Sequence, residues 1–161
     1  MKNRLIALLL SMLILIAGSG IGAAADLIVH NGGSIQAAVD NATSGDSIIV
    51  EAGTYYENVT LNKYDLVIMS QSGNPEDTII QGDGFYLQND AQGITIKGFT
   101  LKGTDTSYGI SIGEFANCII ENNKIQNCGT GVDVNLYSNF TINNNEISNC
   151  ESGIFIGECY S

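Results

Sequence analysis

Residues 117–135 read N-C-I-I-E-N-N-K-I-Q-N-C-G-T-G-V-D-V-N, and residues 139–157 read N-F-T-I-N-N-N-E-I-S-N-C-E-S-G-I-F-I-G. The second stretch repeats the first, with eight of 19 aligned pairs identical. The identities are Asn117/Asn139, Ile120/Ile142, Asn122/Asn144, Asn123/Asn145, Ile125/Ile147, Asn127/Asn149, Cys128/Cys150 and Gly131/Gly153. Val132/Ile154 and Val134/Ile156 stay apolar and β-branched. A unit this short cannot bury its own apolar face, so it must stack on copies of itself.

The repeat extends backward. Ile94–Leu101 aligns with Cys118–Ile125, which puts Ile96, Ile120 and Ile142 in one column and Leu101, Ile125 and Ile147 in another. Gly109–Ile112 aligns with Gly131–Val134, with a two-residue slip between the two blocks. Upstream, short β-branched runs recur at Ser47–Glu51, Asn58–Leu61, Leu66–Met69 and Thr78–Ile80, punctuated by Gly, Asn and Asp. Gly53-Thr54-Tyr55 reads as a turn into the second of these runs. The pattern predicts an all-β, right-handed parallel β-helix with coils of about 22 residues, whose Ile/Val columns fill the interior. Ten of the 17 asparagines lie between Asn117 and Asn149, where tight corners need a residue that tolerates a left-handed backbone. The pairs Asn122/Asn144, Asn123/Asn145 and Asn127/Asn149 are expected to stack amide on amide.

Ser34 followed by Ile35–Val39 predicts a short N-terminal cap helix over residues 34–41, placed just before the first strand. It would cover one open end of the solenoid. At the other end Tyr160-Ser161 aligns with Tyr137-Ser138, in mid-coil. The expectation is a domain over 26–161 that continues C-terminally or is covered by a partner copy.

The stretch Met1–Ala25 has the make-up of an export signal: basic Lys2 and Arg4, apolar Leu5–Ala17, and a small-residue site at Ala23-Ala24-Ala25. An uncleaved membrane anchor is the rival reading, since Leu5–Ala25 carries no charge. Beyond Ala25 there are 17 acids and four lysines (Lys63, Lys97, Lys102, Lys124), a net charge of 4 − 17 = −13, and no arginine. Nucleic acid and phosphate partners need clustered Lys/Arg and are disfavoured on this ground.

The four cysteines show no metal-ligand spacing. Cys128 and Cys150 occupy one repeat position, about 4.8 Å apart in adjacent coils. Both a disulfide and a buried column of two thiols fit that spacing.

The stretch Ile35–Val39, Gly45–Val50 and Gly53–Glu57 resembles the N-terminal segment of pectin-lyase-like β-helix proteins. It is most similar to parallel-β-helix-repeat surface proteins of the NosD-like and carbohydrate-binding/sugar-hydrolase groups. The resemblance implies the fold, which hosts lyases, hydrolases, esterases, epimerases and non-catalytic surface proteins. Pectate lyases and pectin methylesterases of this fold rely on arginine, which is missing after Ala25. The NosD-like branch implies copper, but the chain after Ala25 has one histidine (His30, ahead of the first coil) and one methionine (Met69), so copper is not carried over.

Asp133 lies between inward Val132 and Val134 and should face solvent, with Ser111 and Phe155 as column neighbours. Phe155, between Ile154 and Ile156, should face outward as a platform on which a sugar ring can stack. Glu114 and Glu158 share a column two coils apart. Three Asn-x-Thr sequons, at Asn41, Asn58 and Asn139, are glycosylation sites in principle. The chain is therefore expected to be a secreted or cell-surface module, structural or carbohydrate-contacting. No catalytic site, cofactor or metal is expected in it. The alternative is the N-terminal part of a polysaccharide lyase- or hydrolase-type enzyme whose active site lies in other coils. The expected partners are extracellular polysaccharide or cell-envelope components, with self-association through the open C-terminal end. No stable membrane span is expected after cleavage.

Overall fold

The computed structural model of the chain describes residues 23–89, 91–135 and 137–157. Most of the Met1–Ala25 stretch expected to be an export signal falls outside these residues, as do Glu158, Cys159 and the closing Tyr160-Ser161.

Strand β1 (Asp26–Val29) and helix α1 (Ile35–Asn41) come first. Five coils of three strands follow. They are β2 (Ser47–Val50), β3 (Gly53–Tyr55) and β4 (Val59–Leu61), then β5 (Val67–Ser70), β6 (Thr78–Gln81) and β7 (Phe85–Leu87). Next come β8 (Ile94–Lys97), β9 (Thr100–Lys102) and β10 (Tyr108–Ile112), then β11 (Asn117–Glu121), β12 (Lys124–Gln126) and β13 (Thr130–Asn135). The last coil holds β14 (Asn139–Asn143), β15 (Glu146–Ser148) and β16 (Ser152–Gly157). Each strand pairs in parallel with its counterpart one coil away. The result is three sheets, ordered β1-β2-β5-β8-β11-β14, β4-β7-β10-β13-β16 and β3-β6-β9-β12-β15. This is the right-handed parallel β-helix that the repeat predicts.

The interior is built from columns. Ile48, Ile68, Ile96, Ile120 and Ile142 stand in register although their spacing along the chain is uneven. The first four are fully buried. Leu101, Ile125 and Ile147 form the second expected column. Each fully buried aliphatic side chain contributes roughly 1.5–3 kcal/mol relative to its exposed form. At the far end Ile154 and Ile156 continue the columns of buried Val132 and Val134 but are 48% and 56% exposed.

Asparagine has two separate structural roles. Asn122, Asn127, Asn144 and Asn149 adopt φ of 53, 58, 52 and 54°, the left-handed region that corners demand. Amide-to-amide bonding, expected at all three stacked pairs, occurs only at Asn123/Asn145 among the described residues. The other two pairs use their conformational tolerance at the corner instead. A glycine column runs beside them. Gly84, Gly109, Gly131 and Gly153 immediately precede Phe85, Ile110, Val132 and Ile154, which pair in register. A Cβ on Gly131 would sit 2.5 Å from the Gly153 carbonyl oxygen and 2.6 Å from Ile147 Cγ2.

Two local expectations need correction. The cap helix does not precede the first strand: β1 lies before it and pairs with β2, Asp26 opposite Ser47. Leu27-Ile28-Val29 is a strand because β2 offers it an edge, a long-range contact that its short length does not announce. Likewise Gly53–Tyr55 is not a turn but β3, with Tyr55 buried and its hydroxyl donating to the Glu51 carbonyl at 2.8 Å.

Helix α1 runs Ile35–Asn41 with Ser34 as its N-cap, Ser34 Oγ accepting from Ala37 N at 3.1 Å and Ile35 and Val39 buried. Glu57 completes the cap, accepting from Ser34 Oγ at 2.9 Å and from the backbone nitrogens of Ile35 and Gln36 at 2.7 and 3.2 Å. These bonds satisfy donors that a helix N-terminus leaves open.

Candidate functional site

The outer face of the β7–β10–β13–β16 sheet carries a column of Tyr86, Ser111, Asp133 and Phe155. Period-two alternation puts these residues outside because Ile110, Ile112, Val132 and Val134 face in. Asp133 thus has the two neighbours expected of it. Asp133 and Phe155 also line a common groove of about 340 Å³, together with Asp105, Tyr108, Thr130 and Glu151.

One wall of the groove comes from the two-residue slip in the repeat. The chain takes a longer path from Leu101 to its partner Ile125 than from Ile110 to its partner Val132. The extra length therefore falls between β9 and β10, in the segment 103–107, whose Asp105 and Ser107 line the groove. The segment is tied down. Thr104 N donates to Ser107 Oγ at 2.6 Å, Ser107 N to the Thr104 carbonyl at 2.9 Å, and Gly129 N to that same oxygen at 3.0 Å.

The groove is polar, acidic and aromatic at once. Asp105, Asp133 and Glu151 supply carboxylates, and among the described residues no Lys, Arg or His lines it. Phe155 is 52% exposed at its edge. Burial pushes the Asp133 carboxyl above its ordinary range, opposed by a long hydrogen bond from Ser111 Oγ at 3.5 Å. Sequence reasoning misses Tyr108, Asp105 and Glu151 as members of a site. Tyr108 opens a strand that lies just after the slip, and the slip is the signal that could have found it.

The remaining sites resolve as follows. Glu158 lies outside the described residues, so its pairing with Glu114 has no structural account. Phe115 and Tyr137 stack with ring centroids 5.6 Å apart. His30 is an exposed side chain paired with Glu51 at 2.9 Å, and this contact holds the Glu51 carboxyl below its ordinary range. Cys118, Cys128 and Cys150 are free thiols. Burial pushes Cys118 up to about 12 and Cys128 up to about 11, so both stay protonated at neutral pH and neither is primed as a nucleophile. Among the described residues no His/Cys/Asp/Glu group could hold a metal ion, and no helix is long and apolar enough to cross a membrane. Asn41, Asn58 and Asn139 are all exposed.

Residues 83–161 match the family model described as right handed beta helix region. Over 130 residues, 77% of the chain, the sequence is 32% identical to a protein named "Cell surface glycoprotein" from Methanothermus fervidus. The chain spans 21% of the length of that curated relative. No solved structure matches the chain significantly.

Proposed function

We propose that this chain, a β-helix repeat protein, is a cell-surface module that holds polysaccharide in the groove edged by Phe155, without a catalytic site of its own. The surface assignment draws on the repeat fold and on the name of the relative. The observation that carries the carbohydrate reading is the convergence of Phe155 and Tyr108 with Asp133 in one groove. An aromatic ring packs against the apolar C–H face of a pyranose, while carboxylates and hydroxyls accept and donate to its hydroxyl groups. Three carboxylates with no facing cation among the described residues favour neutral sugars and repel uronates and sulfated chains.

Calorimetric titration with neutral glucans and mannans, and with polygalacturonate as the anionic control, tests this. Neutral chains should bind and the anionic one should not. Phe155→Ala should weaken binding at least about tenfold, the loss of a single stacked contact of ~1.4 kcal/mol. Equal binding by Phe155→Ala would sink the groove as the site. Release of oligosaccharides during the titration would favour the enzyme alternative.

A further inference from the structure

Three sequons are present, and the fold treats them differently. Asn41 Nδ2 donates to the Ala37 carbonyl at 2.7 Å, and the hydroxyl of its partner Thr43 donates to Asp46 Oδ2 at 2.9 Å. Both functional groups of that sequon are already committed. Asn58 is locked at both ends of its amide: Nδ2 donates to Asp83 Oδ2 at 3.1 Å and Oδ1 accepts from Asp83 N at 2.7 Å. There is also little room around it, since a Cβ on Gly82 would come within 2.4 Å of Asn58 Oδ1.

Asn139 is exposed like the other two but differs in its hydrogen bonding. It begins β14, with its backbone nitrogen held by the Ala116 carbonyl at 2.9 Å. Its side-chain amide has no hydrogen bond among the described residues, nor does the Thr141 hydroxyl, and both residues are exposed. Residues two apart on a strand share a face, so the amide and the hydroxyl project together while Phe140 between them packs toward the core.

From this geometry we propose that Asn139 is the N-glycan acceptor of the folded chain. The donor class is a polyprenyl-phosphate-linked oligosaccharide, delivered by a transferase that reads Asn-x-Thr. In the reaction a bond forms between Asn139 Nδ2 and the anomeric carbon of the first sugar as the bond from that carbon to the phosphate oxygen breaks. The polyprenyl phosphate leaves with the electron pair of the broken bond, and the amide's one lost proton passes to solvent. No redox partner is needed. The proposal rests on the surface reading above for its place in the cell, but not on the groove.

The test uses the purified full chain, such a transferase and a polyprenyl-linked oligosaccharide, with modified sites mapped by peptide mass spectrometry. The folded chain should carry glycan on Asn139 at least about tenfold faster than on Asn41 or Asn58, because only Asn139 needs no bond broken first. The urea-denatured chain should lose that preference. Asn139→Gln and Thr141→Ala should abolish the folded-state product, and Thr141→Ser should restore it. Equal labelling of Asn41 or Asn58 in the folded chain, or none at Asn139, would overturn the assignment. Because the assay bypasses export, its failure is separable from failure of the surface reading, which secretion of the chain tests independently.

Discussion

Asn145 Oδ1 lies 2.9 Å from the backbone nitrogen of Asn123 and 3.1 Å from its side-chain nitrogen, so one oxygen takes two donors from the residue one coil below. Asn123 in turn donates to the Ile96 carbonyl at 3.0 Å and accepts from Phe99 N at 3.1 Å. A buried amide therefore ties three successive coils. Asn123→Ala leaves the Phe99 N–H without its acceptor inside the stack. Urea unfolding should show a loss on the order of 3 kcal/mol, because each orphaned buried group costs ~1–3 kcal/mol. Asn145→Ala, at a half-buried position, should cost less. If the two losses are equal, the ladder is not anchored at Asn123.

Corner asparagines obey a different rule. Asn127 is exposed, with φ 58°. Asn127→Ala should destabilise by roughly 1–2 kcal/mol, the penalty of a Cβ in the left-handed region, whereas Asn127→Gly should be near neutral. Thermal unfolding of the pair checks this, and identical midpoints would show that backbone conformation does not select the residue.

Within the glycine column the prediction is asymmetric. Gly131→Ala forces a methyl group against the Gly153 carbonyl and Ile147, and overpacking of this kind costs roughly 1–3 kcal/mol. Gly153→Ala meets nothing within 4 Å. Its midpoint in urea should stay within error of the parent's.

Asp133 sets a pH dependence. Its carboxyl is raised above the ordinary 3.8 by burial. A raised acid favours the folded state fully below its unfolded pKa, and that contribution is lost as pH rises through the folded pKa. Asp133→Asn should therefore be more stable than the parent at pH 7, with the difference shrinking toward zero as pH falls below 3.8. A difference independent of pH would mean that the carboxyl is not desolvated.

Much of this was legible in the chain because register in a solenoid is one-dimensional. Aligning Ile120 with Ile142 also aligned Asp133 with Phe155, and the structure keeps both pairings. What the repeat could not convey was anything outside its period. Strand β1 is made by an edge that lies beyond helix α1, where Asp26 meets Ser47. The groove was half visible: Asp133 and Phe155 follow from alternation, but Asp105 lies in the inserted segment and Tyr108 opens the strand just after it, and both line the same cleft. Nor does composition separate an amide that bonds its neighbour, Asn123, from one that turns a corner, Asn122. That difference lies in φ, at adjacent positions.

The direction of the backbone ladders has a mechanical consequence. The backbone ladder bonds join each strand to its counterpart one coil away, so they point along the solenoid axis. A pull between the two ends of the stack loads those bonds in line and opens them coil after coil. It does not shear a whole sheet at once. Each released coil, about 22 residues, would let out roughly 75 Å of chain at full extension. Because the coils differ in length, a stack pulled from its two ends would lengthen in unequal steps, one per coil.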